Sequence, residues 1–234
     1  MTNPSPALES PPSPTSTKQR LLEAAEELFA VQGFDGTSVE EITKRAHANR
    51  AAVSFHFGGK ERLYIEAVKY AHRNCISGAP FPDWPAGTPA EERLRGFIRT
   101  MIARMITDLS PASAQLMMRE MVQPTAACAE VVREYIRPMA DVLVGILAEL
   151  LPPQVPQTRR YLLGFSIVAQ CLFYRTNRPI AALLMGEDEF RRLDVDVLTQ
   201  HVAAVSLAAV EAVRGKYKSK NPPAAAGGLE GASS

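Results

Sequence analysis

The tightest constraint on this chain is the spacing of apolar residues and helix caps between Thr37 and Lys60, TSVEEITKRAHANRAAVSFHFGGK. Val39, Ile42 and Ala46 recur at steps of three and four and so share one face of a helix. Val53 and Phe57 repeat the pattern one turn apart. Ser38 precedes Glu41 by three residues, the spacing at which a hydroxyl and a carboxylate satisfy the open N–H groups of a first turn. Asn49 is placed to cap a second helix. Only His47 and Ala48 remain between the two helices, which leaves room for a sharp turn and nothing else. Gly58-Gly59-Lys60 then forms a corner into a further helix. Two short helices across a tight turn make a helix-turn-helix, in which the second helix lies in the DNA major groove and meets base edges with its first turn.

The pattern on either side is helical as well. Leu21, Ala25, Leu28 and Phe29 share one face of a helix that starts near Thr17 and stops at Gly33. Leu63, Ala67, Val68 and Ala71 mark a fourth helix from Glu61. The stretch GAPFPDWPAGTP at 78–89 breaks the pattern and reads as a linker or flexible loop. Beyond it, Leu94, Ile98, Ile102, Met105 and Leu109 define a helix, and Ser113–Val122 a shorter, Met-rich one closed by Pro124. Thr125–Leu151 and Thr158–Leu184 are long helices that Pro138 and Pro179 must kink or split. Asp194–Arg214 ends the ordered pattern. The fold class expected is all-α, an N-terminal three-helix helix-turn-helix unit followed by a C-terminal helical bundle. The boundaries are a Pro/Ser/Thr-rich tail at 1–16, a DNA-binding domain at 17–75, a second helical domain at 90–214 and a low-complexity tail at 215–234. Both tails have too little to bury and are expected to be disordered.

These motifs resemble the TetR family of bacterial transcriptional regulators. GTSVEEITKRA at 36–46 is similar to that family's second helix, and FHFGGKERLY at 55–64 to the exit from its third. RLLEAAEELFAVQG upstream looks like its first. In the second half, REMVQPT at 119–125, VVREYIRPM at 131–139 and VAQCLFYRTNRP at 168–179 resemble the CecR-like branch. The resemblance implies a homodimer that binds a palindromic double-stranded operator, with a C-terminal domain that dimerises and holds a small-molecule effector. The function it implies is that of a sequence-specific regulator, a repressor released by its effector. Two positions depart from the family pattern. Ser54 stands where many members carry Tyr, and His47 replaces a common turn Gly, a change that His tolerates in left-handed backbone.

On the DNA face, Arg50 opens the recognition helix, where it either forks onto guanine O6/N7 or touches phosphate alone. Ala51 and Ala52 keep the helix narrow and offer methyl groups to thymine. Ser54 brings a hydroxyl to phosphate or base, and Asn49 begins the helix as it does in the CecR-like branch. Phe55 lies against the sugar-phosphate backbone or packs inward, and Phe57 belongs to the core. His56 resembles the family's phosphate-contacting His. Lys60 and Ser38, each at a helix N-terminus, are candidate phosphate contacts. For the effector, Met117, Met118, Arg119 and Met121 with Gln170 and Tyr174 are the candidate lining, an adaptable apolar wall carrying a few polar groups. The competing reading of the same residues is a bundle core with a salt bridge. The last two long helices, near 158–178 and 195–213, are the expected dimer seam.

Composition narrows the remaining classes. A formal charge of +1 leaves DNA contact to a few placed cations rather than bulk electrostatics. Cys75, Cys128 and Cys171 lie far apart without CxxC spacing, as expected of reduced thiols in the cytoplasm. His47, His56, His72 and His201 show no metal-ligand spacing, and neither a GxSxG motif nor a phosphate loop is present. No enzyme activity, cofactor or metal is expected. Nor is a membrane span, since every long apolar run is interrupted by polar residues. The alternative from another class is a helical small-molecule-binding or architectural protein that has lost specific operator recognition.

Overall fold

The computed structural model describes residues 16–107 and 110–220, and every regular element among them is helical. In chain order these are α1 (Thr17–Gly36), α2 (Val39–Arg45), α3 (Arg50–Phe57), α4 (Lys60–Ile76), α5 (Ala90–Ile106), α6 (Pro111–Val122) and α7 (Ala126–Val131). A π-helical turn (Val132–Ile136) leads into α8 (Arg137–Leu150). There follow α9 (Gln157–Thr176), α10 (Arg178–Met185), α11 (Glu187–Phe190) and α12 (Val195–Lys220). The described residues form two compact units, one of 16–75 with 110–132 and one of 76–107 with 133–220.

The first unit joins two longer helices, α1 and α4, to four shorter ones, and most of their starts carry a side-chain cap. Ser16 caps α1, its hydroxyl accepting from Gln19 N at 3.2 Å. Leu21, Leu22, Ala25 and Phe29 bury one face of that helix. Gly33, at φ +76°, breaks the helical path, as its expected stop requires, and a last turn runs on to Gly36. The buried Thr37 hydroxyl donates to Gly33 O at 2.8 Å and satisfies a carbonyl that the break leaves open. Between α2 and α3 the chain turns through His47 at φ +48°, the left-handed conformation anticipated for it. Ala48 N donates to Thr43 O at 2.9 Å, and Arg20 Nε donates to Ala46 O at 3.1 Å. Ile42, Val53, Phe57, Leu63 and Val68 complete the core with Phe29.

Residues 110–132, which the sequence pattern assigns to the second half of the chain, pack on α1 and α4 instead. Helix α6 lies along α1, with Leu116 fully buried. Two polar pairs lie at this packing: the Ser113 hydroxyl donates to the Glu26 carboxylate, and Tyr64 donates to Glu120 at 2.5 Å. Burial pushes the Glu26 carboxyl above the usual carboxylate range, against the opposing effect of its hydrogen bonds to Ser113 and Asn74.

In the second unit α5 packs against α8, α9 and α12, and the core runs through Leu94, Phe97, Ile98, Ile102, Ile146, Leu147 and Ile167. Arginines close its helix ends. Arg214 donates to Leu150 O at 2.7 Å, and Arg175 donates to the carbonyls of Arg104 and Thr107 at the end of α5. The segment 78–89, expected as a linker, is packed in this unit. Phe81 stacks on Phe97 with centroids 5.0 Å apart, Arg104 lies over Phe81, and Trp84 fits against Gly96. The prolines act as predicted: α8 begins at Arg137-Pro138, and α9 and α10 are separated at Asn177, just before Arg178-Pro179.

Two boundaries move. Helix α5 stops at Ile106, and Leu109, expected on its apolar face, lies outside the described residues. Helix α12 runs six residues past Arg214, because Tyr217 packs against the core cluster and extends the buried face. The expected tail at 1–16 lies outside the described residues apart from Ser16, as does 221–234. Over Val195–Tyr217, α12 has the length and mean hydropathy (1.2) of a membrane span by composition alone. Its Leu198, Val202, Ala203, Val210 and Val213 are nonetheless committed to the protein core.

Candidate nucleic-acid interface

The surface that can meet DNA is decided by which faces of α3 are already used. Val53 and Phe57 point into the core at 1% and 7% exposure, which turns the opposite face outward. Asn49 Oδ1 accepts from Ala52 N at 2.9 Å and fixes the first turn of α3. This cap leaves Arg50, Ala51, Ser54 and Phe55 exposed, with Ala52 and His56 partly so. Phe55 is 84% exposed, which removes the packing alternative for it. Its ring meets His56 edge to face at 4.9 Å, so the two aromatic groups form one outward ridge. An exposed Phe on a helix that opens with an exposed Arg suits contact with sugars and thymine methyls.

Around the ridge lie the candidate phosphate contacts. Gly58, at φ +79°, closes α3 and donates to Ser54 O at 2.9 Å, and Gly59 follows at φ +146°. Neither has a neighbour that a Cβ would strike, so the glycines serve the sharp corner and not close packing. The corner delivers Lys60 to the N-terminus of α4, where its ammonium stands 4.4 Å from the centroid of Phe34. Lys18 lies similarly over Phe57, at 5.9 Å. Ser38 is less free than its position promised. Its hydroxyl and its N–H both donate to Glu41 Oε2 at 2.8 Å, and these two bonds hold the Glu41 carboxyl below its usual range.

The six candidate effector residues separate. Met117, Met118, Arg119 and Met121 belong to α6 in the first unit, whereas Gln170 and Tyr174 belong to α9 in the second. Arg119 extends toward the end of α1, donating to Val31 O at 3.3 Å and Ala30 O at 3.4 Å. Gln170 donates to Ser166 O at 3.2 Å, and Tyr174 packs against the core, where burial pushes its phenol up. None of the six is among the residues lining the apolar cavity of about 260 Å³ in the second unit. Phe97, Met139, Leu143, Tyr161, Phe165 and Leu172 line it, contributed by α5, α8 and α9. Apolar side chains at helical spacing carry no mark that separates a cavity wall from a filled core, so no signal in the sequence singles these residues out. Among the described residues no cluster of His, Cys, Asp and Glu could hold a metal ion.

Known proteins share both halves of this architecture. Residues 21–67 match the model for bacterial regulatory proteins of the tetR family. Residues 90–210 match that for the C-terminal domain of the HTH-type transcriptional dual regulator CecR. The chain belongs to the TetR family. Its second half is of the CecR type, and it is a DNA-binding transcriptional regulator. The dual regulator CecR of Shigella flexneri is 25% identical over 198 residues, spanning 79% of this chain and 87% of that protein. The transcriptional repressor NicS of Pseudomonas putida is 27% identical over 179 residues, 74% of this chain and 82% of the relative. Among solved structures, a TetR-like regulator from Rhodococcus sp. RHA1 shares the fold with a TM-score of 0.54 at 16% identity. That likeness covers 83% of this chain and 96% of the other.

Proposed function

We propose that this regulator is a homodimeric repressor that reads a palindromic operator through α3 and releases it when a small apolar effector binds the second unit. The observation that carries the reading is the outward face of α3. Arg50, Ala51, Ser54 and Phe55 are exposed at the start of a helix whose inner face is locked by Val53 and Phe57. Arg50 is the base-reading side chain, Phe55 and the alanines supply apolar contact, and His56 and Lys60 bind phosphate. One helix of this length makes too few contacts for tight specific binding. A two-fold pair reading half-sites one helical turn apart, roughly 34–36 Å, supplies the rest.

The outer faces of α9 and α12 support the dimer seam. Leu162, Phe165 and Phe173 on α9, and Val197 and Val205 on α12, are exposed large apolar residues in helices whose inner faces are already packed. The carbon-lined cavity between α5, α8 and α9 supports an effector without charge, since no ionisable group other than the Tyr161 phenol lines it. Release requires that this compound bind the DNA-incompetent arrangement better, because only differential affinity shifts an equilibrium. The protein acts in the cytoplasm, where its DNA is.

The experiment is selection of duplexes from a randomised pool by the full-length protein. It is followed by titration of the selected DNA with apolar and amphipathic compounds, and by sedimentation of the free protein. A two-fold symmetric consensus bound by a dimer and released by an uncharged compound is the expected result. Recovery of no common sequence would favour the architectural alternative.

A further inference from the structure

We infer that Arg119 and Glu120, neighbours on α6, are positioning residues for DNA binding, which hold from both sides the aromatic platform on which Lys60 rests. The inference relies on the reading of Lys60 as a phosphate contact, and it gives that contact a support within the same unit. Lys60 stands over Phe34, and Phe34 meets Tyr64 edge to face at 5.2 Å. Phe29 closes the cluster, 4.8 Å from Tyr64 and 6.3 Å from Phe34. The position of the Lys60 platform therefore depends on the backbone before Phe34 and on the seat of Tyr64.

Each of those is held by one of the two residues. Glu120, 2% exposed, accepts the Tyr64 hydroxyl at 2.5 Å, Thr125 N at 3.1 Å and the Thr125 hydroxyl at 3.0 Å. These bonds tie α4 to the start of α7 and fix the Tyr64 ring. Arg119 reaches the other side. Its guanidinium donates to Ala30 O and Val31 O, carbonyls in the turn just before the break at Gly33. It comes so close that a Cβ on Gly33 would stand 2.8 Å from Arg119 Nη1. Gly33 immediately precedes Phe34, so the cation sets the backbone from which the platform ring hangs. Arg119 Nε is buried with no partner among the described residues, an unfavourable placement that a merely solvated arginine would avoid. An arginine expected to greet an effector thus serves the DNA face, and α6, although within the span matched by the CecR-type C-terminal model, holds part of the DNA-contact apparatus.

The test uses the full-length protein with a fluorescein-labelled 30-base-pair duplex of mixed sequence, titrated across a range of salt. Arg119→Ala and Tyr64→Phe, the latter keeping the ring and removing only the hydroxyl, are each combined with Lys60→Ala. Each single variant is expected to weaken binding roughly three- to tenfold at low salt. Each should also make the slope of log K against log salt shallower by about 0.9 per protomer, the share of one phosphate neutralised by Lys60. In the Lys60→Ala background the same changes should cost nothing more, a non-additivity that general destabilisation would not produce. If Arg119→Ala fails to fold, Tyr64→Phe decides alone. A folded variant with the wild-type salt slope, or full additivity with Lys60→Ala, overturns the inference. Wild-type protein that binds neither this duplex nor any selected sequence would instead overturn the operator reading.

Discussion

The two units of this regulator are held together by different means. In the first, most helix ends are closed by a neighbour in sequence, with Arg119 added at the end of α1 from 89 positions away. Ser16, Ser38, Asn49 and Ser110 cap starts, and Gly33 and Gly58 turn the chain at stops. The second holds the longest helix, α12, and two of its helix ends are closed from afar, Arg214 reaching Leu150 across 64 residues and Arg175 reaching Thr107 across 68. Its outer faces remain apolar where those of the first carry the polar and aromatic groups suited to DNA. Local closure fixes a small surface accurately, as a reader of base edges requires. Closure at a distance leaves helices that can adjust around a cavity.

That contrast can be broken most severely at the cores. Phe97→Ala removes a fully buried ring from α5, and about 3–5 kcal/mol of stability should go with it, read by urea denaturation of the full chain. If the units respond as differently as their construction implies, probes in the second should report the loss before probes in the first. Next in size is the base contact. Arg50→Ala should weaken binding to the selected duplex by about 1–3 kcal/mol and relax preference at one base per half-site. Equal loss on selected and mixed-sequence DNA would reduce Arg50 to a phosphate contact.

A smaller effect should follow from the local caps. Asn49→Ala removes the side chain that accepts from Ala52 N, and a loss of about 1 kcal/mol is expected, with DNA binding falling alongside because α3 frays at its reading end. The smallest concerns the buried carboxyl of Glu26. Its folded value is raised, so the ionised form is disfavoured in the folded state, and stability is lost as pH rises from the unfolded value through the raised one. Glu26→Gln should be neutral or stabilising, by up to about 1 kcal/mol, above that window. The advantage should vanish below it, where the wild-type side chain is protonated in both states. Thermal melts of both proteins, begun in acid and carried to neutral pH, would show the crossing.

How much could be read from the sequence follows the same divide. The caps at Ser38 and Asn49 and the Gly58-Gly59 corner are contained in short runs of residues, so spacing is enough to reveal them, while the left-handed His47 is legible from the turn Gly it replaces in the family pattern. Pro138 and Pro179 broke their helices for an equally local reason, the missing N–H and the crowded preceding turn. Phe34 did not announce itself as the seat of Lys60, because they lie 26 positions apart and the contact exists only once α1 and α4 are packed. The cavity wall drew residues from three helices, and an apolar residue facing empty space looks the same in sequence as one facing a neighbour. GKYKSK after Arg214 read as a tail because Gly and Lys outnumber its one useful side chain, yet Tyr217 finds the core and carries the helix onward.

The packing of 110–132 against α1 and α4 bears on how such regulators can be rebuilt. A chimera made by exchanging 1–75 with a relative would cut through an intact hydrophobic interface. It would bring in a foreign α1 and α4 while keeping the Ser113, Arg119 and Glu120 that fit the native Glu26, Gly33 and Tyr64. The transplantable head is thus a two-piece graft interrupted by a stretch of host chain. The same holds over evolutionary time: a new reading head could be acquired by recombination only if it arrived with its own α6, or met one that already suited it.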